Sequence, residues 1–418
     1  MSYPKHVYIN FEDNDTLRGL FLNNFDITRI ISTLQWSTGI TIDEDTLLIF
    51  DEIQEAQRGI TALKYFYEKA PQYHVAAAGS LLGIAMHRGD SFPVGKVDVM
   101  HLYPLSFYEF LDAIGEQNMR AMLQTKNWQM ITTFRTKYEE RLRQYYLVGG
   151  MPATVLAFVG SRDATKVRNV QKSILEAYEQ DFSKHAPAIE FPRIRIVWRS
   201  IPGQLAKENK KFVYGVLKEG ARAKEFELAI EWLKDAGLIY KTNRCKKAQI
   251  PLGAYEDFSA FMIFLSDIGL MGAMSNVPVQ SLLTGNALFS DLRGAMTEQY
   301  VMQQLATIRS LSIYYWSAEN SRGEIDFMIQ QDQQIIPVEV KAKENLQAKS
   351  LRAFIEKPPC LHGMRLSMSP FPRAGLDDQL PIVCPANRAI ITRLTITRTI
   401  FSHNLHALCM FFVKFVAE

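Results

Sequence analysis

The stretch TLLIFDE, from Thr46 to Glu52, decides the fold of the first part of this chain. Its opening run, TLLIF, is continuously β-branched or apolar, which is typical of a strand in a parallel sheet that is covered on both faces. The run ends directly in Asp51 and Glu52. Because ligands of open α/β sheets bind outside the carboxyl ends of the strands, we expect these carboxylates to project into a ligand-binding crevice.

Two more stretches predict strands, one before and one after this stretch in the sequence. HVYINF, from His6 to Phe11, is short, rich in β-formers and followed by an acidic turn. HVAAAG, from His74 to Gly79, is small and apolar, and it leads directly to Ser80. The sequence therefore predicts a parallel sheet in which the Ser80 hydroxyl lies beside the two carboxylates.

The pattern LLIFDE has the Walker B form, in which two acids have different tasks. Asp51 can hold Mg²⁺ directly or through water, and Glu52 can polarise the attacking water in phosphoryl transfer. At the position of Ser80, related ATPases keep a polar sensor of the γ-phosphate. The structural alternative is that Asp51 and Glu52 cap a helix beginning near Ala56, and that Ser80 caps the following LLGIAM helix.

A longer stretch carries a family resemblance. DEIQEAQRGITALKYFYEKAPQYHVAAAGSLLGIA, with SFPVGKV and LYPLSFYEFL, resembles a widespread prokaryotic group of AAA-type ATPases that carry a C-terminal domain of poorly defined function. The resemblance covers about residues 1–370. It implies an ATP-binding P-loop domain, with Asp51 and Glu52 matching the Walker B acids and Ser80 matching the sensor position.

The sequence departs from that family at one point. Family members have a strand, a GxxxxGK[ST] loop and a helix before HVYINF, because backbone amides and a lysine must hold the phosphates. No such stretch occurs here. We therefore expect an N-terminally truncated reading frame, an ATP affinity lower by orders of magnitude, and an exposed sheet edge and face.

The middle of the chain is predicted to be helical. Residues 105–148 have apolar positions three and four apart, which favours a helical lid. Within 189–255, we predict helices at Ile194–Lys207, Phe212–Glu219 and Ala223–Ala236. The stretch FELAIEWLKDAG and a strand pair with Arg244, Lys246 and Lys247 at its turn resemble a winged helix. Such a basic wing could contact DNA phosphates, or the same unit could be an interdomain packing module with a solvated wing.

A second group of acids lies near the C-terminus. Asp326 is predicted on a strand at Ile325–Gln330, and Glu339 and Lys341 share a face of the next strand, Ile335–Lys341. Glu298 lies on the preceding helix. The two strand carboxylates and the lysine could bind Mg²⁺ and activate water, and Glu298 could complete the metal site. The arrangement resembles the restriction-endonuclease-like core. The alternative is a structural ion pair of these acids with Lys341 or Arg322 in a non-catalytic relative.

These patterns predict an α/β protein with four parts. They are a partial AAA-type domain, with a P-loop NTPase-type parallel sheet and a helical lid (1–188), a winged-helix-like segment (189–255), a C-terminal α/β restriction-endonuclease-like domain (256–370) and a divergent tail (371–418).

The bulk composition excludes several other classes. At 47% hydrophobic and 22% charged residues, the chain is not extensively disordered. A net charge of +3 gives no argument for nucleic acid by itself. The four cysteines form no CxxC pair. We expect a cytoplasmic protein without a membrane span, since neither a signal peptide nor a long apolar run is present.

Three functions remain open at this point. The first is an ATPase that uses ATP and Mg²⁺ and whose C-terminal half binds DNA or a protein partner, with self-association as a further option. The second is Mg²⁺-dependent DNA cleavage by the C-terminal acids. The third is a non-catalytic interaction protein in which both groups of acids are relics.

Overall fold

A computed structural model describes most of the chain. The described residues are 3–79, 93–125, 127–207, 211–284, 290–308, 311–318, 323–331, 333–341, 351, 354, 363–367 and 414–416. They divide into two compact units, Met1–Leu102 with Glu231–Leu238, and Tyr103–Ile230 with Ile239–Glu418. In the described part, no helix combines the length and the apolar character that a membrane crossing requires.

The first unit contains a three-stranded parallel sheet in the order β1-β2-β3. Its strands are β1 (Lys5–Asn10), β2 (Thr46–Asp51) and β3 (His74–Ala77). Its helices are α1 (Asp15–Arg18), α2 (Ile27–Thr38) and α3 (Gly59–Lys69), and a 3-10 turn covers Ile53–Glu55. The three strands predicted from the sequence are therefore confirmed, and so is their parallel arrangement.

The hydrophobic core of this unit lies on one face of the sheet. Phe50 of β2 packs edge-on against Phe11 and Phe66, with ring centroids 5.7 and 5.9 Å away. Leu47 and Ile49, on the other face of β2, are only partly buried. In the described part of the chain, β2 therefore buries one face fully and the other only in part.

One edge of the sheet is also open in the described part of the chain. β3 pairs with β2 on one side, and Ala78 extends this pairing through hydrogen bonds with Phe50 and Ile53. Since backbone groups alternate in direction along a strand, the N–H and C=O groups of Val75 and Ala77 point away from β2. No described strand pairs with that side.

The second unit combines many helices with a mixed sheet. Its helices are α4 (Phe107–Ala113), α5 (Gln117–Thr125), α6 (Trp128–Thr133), α7 (Arg135–Val148), α8 (Pro152–Ser161), α9 (Ala164–His185), α10 (Phe191–Leu205), α11 (Ala223–Asp235, whose last residues belong to the first unit), α12 (Ile268–Met274), α13 (Val279–Thr284) and α14 (Ser290–Ala306).

Seven strands form the sheet of this unit, in the order β10-β9-β8-β7-β6-β4-β5. They are β4 (Ile239–Cys245), β5 (Glu256–Leu265), β6 (Ser312–Ser317), β7 (Glu324–Gln331), β8 (Gln334–Lys341), β9 (Gly363–Ser367) and β10 (Lys414–Val416).

The strand pair predicted for a winged helix differs from the observed one. The sequence predicted a turn at Lys246 and Lys247, but the chain continues through a 3-10 turn at Leu252–Tyr255 before β5 begins. β4 also pairs in parallel with β6 at Arg244 and Tyr315, so it joins the larger sheet.

A second difference concerns Phe212–Glu219, which was predicted to be helical. The structure has only a short 3-10 turn there, at Tyr214–Val216. The Phe212 N–H donates to the Phe261 carbonyl at 2.7 Å, and the two rings stack with centroids 5.2 Å apart. This tertiary contact fixes an extended backbone where local propensity favoured a helix.

A buried polar network joins separate segments of the second unit. Asp267 is fully buried and accepts hydrogen bonds from Gly150 N at 2.6 Å, Leu270 N at 2.9 Å and Gln303 Nε2 at 3.2 Å. Gln303 also donates to the Tyr145 hydroxyl at 3.0 Å. Because these groups satisfy one another, the break after α7 is held against α12 and α14.

Candidate functional site

The carboxylate of Asp51 lies at the carboxyl end of the central strand of the first unit. Asn10, the last residue of β1, is its partner in the parallel register. The Glu52 N–H donates to Asp51 Oδ1 at 3.1 Å, and the Tyr8 hydroxyl donates to Asp51 Oδ2 at 2.5 Å. Both oxygens are therefore held, yet a carboxylate offers about four acceptor positions, so each retains one for a further ligand.

Glu52 adopts an unusual backbone conformation. Its φ of 50° and ψ of 46° lie in the left-handed region, which is rare for residues other than glycine. Its side chain accepts a hydrogen bond from Gln54 Nε2. Left-handed residues at the ends of strands are often found at functional sites, where the surrounding structure compensates their strain of about 1–3 kcal/mol. Glu52 does not act as a side-chain cap for the 3-10 turn that follows it.

The sensor prediction for Ser80 lies outside the described residues. β3 and its continuation are described as far as Gly79, so the strand that leads to Ser80 is present as predicted. The structure therefore brings Asp51 and Glu52 together and leaves the third member of the predicted group as a prediction.

The C-terminal acids lie on adjacent antiparallel strands. Asp326 of β7 accepts a hydrogen bond from Val340 N of β8 at 2.7 Å through Oδ2. Glu339 is 2% exposed, and its Oε1 lies 3.3 Å from Lys341 Nζ. Its second oxygen, Oε2, is buried and has no hydrogen-bond partner among the residues that the structure describes. A buried carboxylate oxygen without a partner is costly, which favours a ligand at that position.

A β-bulge lies at Asp326. Tyr314 and Trp316 of β6 pair with Met328 and Ile325 of β7, so β7 has one extra residue in this interval. Bulges bend a strand and redirect side chains, and they are frequent near active sites. Asp326 lies in this interval, and its carboxylate accepts a hydrogen bond from the backbone of β8.

Glu298 is buried on α14, with 5% of its surface exposed, and α14 packs against β8. Within the described part of the chain, however, no group of three or more His, Cys, Asp or Glu side chains is arranged so that it could hold a metal ion. The full metal set of Glu298, Asp326 and Glu339 is thus not assembled in this structure, whereas Asp326, Glu339 and Lys341 are close in the sheet.

The predicted basic wing is partly neutralised. Arg244 lies on β4 and not at a turn, and its guanidinium pairs with Asp257 at 2.5 Å. Burial raises the pKa of Asp257, but hydrogen bonds from Ser259 and Arg244 outweigh it and lower that pKa to about 2. Lys246 and Lys247 are exposed. Arg244 is therefore a structural ion-pair partner, and two lysines remain at the surface.

Sequence reasoning missed two residues of the first site, Tyr8 and Gln54. Gln54 could have been noticed, since it is two residues after Glu52. Tyr8 could be found only from the parallel register, which brings the end of β1 beside the end of β2.

Three parts of the chain match models of known protein families. Residues 2–111 match the model of an AAA domain. Residues 139–281 match a domain of unknown function (DUF8612), and residues 293–382 match another domain of unknown function (DUF4143). No curated protein matches the chain.

One solved structure was also found to be similar. It is the Walker-type ATPase PABY2304 of Pyrococcus abyssi, with 14% sequence identity and a TM-score of 0.36. The match covers 60% of this chain and 67% of that chain.

The N-terminal family match and the parallel sheet agree with each other. The first unit has an α/β fold with a parallel sheet, and residues 2–111 match the model of an AAA domain. The predicted α/β class is thereby confirmed. The restriction-endonuclease-like and winged-helix assignments stay predictions.

Proposed function

We propose that this protein is an ATP-binding, AAA-type ATPase whose C-terminal half binds DNA or a protein partner. The observation that carries the proposal is the pair Asp51 and Glu52 at the carboxyl end of β2, inside a stretch that matches an AAA domain. In this proposal Asp51 holds Mg²⁺, Glu52 accepts a proton from the attacking water, and Ser80 senses the γ-phosphate.

The donor set of Asp51 fits a magnesium ion. Mg²⁺ prefers oxygen ligands and commonly keeps several waters, with one or two carboxylates from the protein and oxygens from phosphates. Asp51 offers an acceptor position on each oxygen, as its two hydrogen bonds leave the others open. The absence of a GxxxxGK[ST] stretch from the printed sequence removes the main phosphate contacts, so we expect ATP binding by this chain to be weak.

Calorimetry with MgATP tests this proposal. This chain is compared with a version preceded by a strand, a phosphate loop and a helix. Each version has a Glu52→Gln control, which should bind ATP as its parent does and should not hydrolyse it. We expect clear binding only in the extended version. If neither folded version binds ATP, the ATPase proposal fails.

A second candidate function is Mg²⁺-dependent DNA cleavage by the second unit. Glu339 favours it, because its buried Oε2 has no hydrogen-bond partner within the described ranges and it lies beside Asp326 and Lys341. Nicking of supercoiled plasmid with Mg²⁺ and with EDTA tests it, with Glu339→Gln as the inactive variant. Cleavage that survives this substitution would exclude Glu339 as the metal ligand.

A further inference from the structure

Tyr8 occupies a position that packing does not explain. It lies in the middle of β1, between Val7 and Ile9, which are buried in the core. Tyr8 itself faces the opposite side of the sheet and is 52% exposed. A half-exposed aromatic ring contributes little to a hydrophobic core, so its specific interaction is the one made by its hydroxyl.

That hydroxyl bonds to a residue of the candidate site. It donates to Asp51 Oδ2 at 2.5 Å, although the two residues are far apart in sequence. A carboxylate oxygen only accepts hydrogen bonds, so the Tyr8 hydroxyl is the donor of this one.

The two donors to Asp51 act on different oxygens. Glu52 N–H holds Oδ1 through the adjacent backbone, and Tyr8 holds Oδ2 from the neighbouring strand. Together they fix the rotation of the carboxylate about its last side-chain bond. Since each oxygen keeps an acceptor position, Tyr8 can orient Asp51 without filling the place of a ligand.

We propose that Tyr8 is a positioning residue that orients Asp51 toward a divalent cation. This inference rests on the proposed function, in which Asp51 is the residue that holds the cation. Hydrogen-bond donors to a ligating carboxylate affect metal affinity strongly, and their loss typically costs about 10–100-fold. Two other roles of Tyr8 predict different results for Tyr8→Phe. If the hydroxyl only links β1 to β2, its removal leaves the cation affinity unchanged. If the hydroxyl obstructs Asp51, its removal raises the cation affinity.

The test uses the full chain and Mn²⁺ alone as the probe. Free Mn²⁺ is measured by electron paramagnetic resonance for the unmodified chain, Tyr8→Phe, Asp51→Asn and the double variant. Tyr67→Phe is the matched control, because Tyr67 is exposed to a similar extent, 55%, and lies on α3. Circular dichroism checks that each variant is folded.

We expect Asp51→Asn to remove one Mn²⁺ site and Tyr8→Phe to weaken that site by about tenfold. Tyr67→Phe should leave it unchanged. In the Asp51→Asn background, Tyr8→Phe should have no further effect, because the two residues act through one hydrogen bond.

A second readout does not depend on a metal. In protein labelled with ¹³C at the tyrosine ζ carbons, the resonance missing from Tyr8→Phe belongs to Tyr8, and it should shift in Asp51→Asn. If Asp51→Asn removes the site while Tyr8→Phe leaves its affinity equal or higher, the positioning role is wrong and the metal role of Asp51 stands. If no Asp51-dependent site exists, the metal role of Asp51 fails and the positioning role fails with it. An unchanged Tyr8 resonance in Asp51→Asn refutes the hydrogen bond itself.

Discussion

Asp267 is the N-cap residue of α12. Replacing it by alanine should destabilise the second unit more than the loss of a solvent-accessible helix cap does. The carboxylate is fully buried and accepts hydrogen bonds from Gly150 N, Leu270 N and Gln303 Nε2. A buried donor left without an acceptor costs about 1–3 kcal/mol, so three such donors together cost about 3–9 kcal/mol. Removing a buried charge returns part of its desolvation cost, and we expect a net loss of about 3 kcal/mol.

Hydrogen–deuterium exchange measured by mass spectrometry gives the local free energy of opening for peptides that contain Gly150 and Leu270. Urea unfolding gives the change in the free energy of unfolding of the whole chain. Asp163→Ala is the matched control, since Asp163 caps α9 through Thr165 N at 2.8 Å in a solvent-accessible position. That control should cost only about 1 kcal/mol. Equal effects of the two substitutions would refute the reasoning that the buried network makes Asp267 special.

The same residue predicts a pH dependence of stability. Burial raises the pKa of Asp267, and this outweighs its hydrogen bonds, from Gly150 N first, which lower it. A carboxyl group whose pKa is higher in the folded state holds its proton more tightly there. Its contribution to the free energy of unfolding is therefore complete below the ordinary aspartate pKa and is lost as the pH rises through the raised value. Urea midpoints of Asp267→Asn should lack this decrease.

Four other predictions concern separate parts of the chain. Because the pKa of Asp257 is lowered to about 2, the unfolding free energy should fall as the pH drops from 5 toward 2, by on the order of 2 kcal/mol, and Asp257→Asn should abolish that fall in urea titrations. Gly150→Ala places a Cβ 2.1 Å from the Leu105 carbonyl oxygen and should cost about 1–3 kcal/mol in thermal unfolding. Gly160→Ala, with nothing within 4 Å, should stabilise α8 by up to about 1 kcal/mol, and a loss there would contradict the geometry. Ala76→Lys on the open edge strand should reduce self-association in sedimentation experiments, and unchanged association would exclude this edge as its cause.

The sequence predicted best where a local pattern and the tertiary environment agree. TLLIF is β2, and the strands around Asp326 and Glu339 were located to within about a residue, since their alternation is regular. The prediction failed for Phe212–Glu219, where a contact with Phe261 fixes the backbone. Local propensity contains no information about a partner so distant in sequence.

The acids of the candidate site could be predicted from the sequence, but their detailed geometry could not. Asp51 and Glu52 follow from a strand that ends in acids, because the carboxyl ends of parallel strands are where ligands bind. The left-handed backbone of Glu52 and the hydrogen bond from Tyr8 are consequences of the folded register, and no local sequence pattern indicates them. The bulge at Asp326 likewise depends on the pairing of β7 with β6.

The open edge of β3 and the two acids of β2 are related, because one added strand would affect both. β3 carries neither a charged residue nor a proline, and natural edge strands usually have such protection, so β3 has the character of an interior strand. A strand added in parallel to β3 would end at the same side of the sheet as Asp51, and the loop after it would lie beside that acid. A segment that supplies both this strand and a phosphate loop should therefore suppress self-association and create ATP binding together. Gain of ATP binding without loss of self-association would show that the segment binds elsewhere.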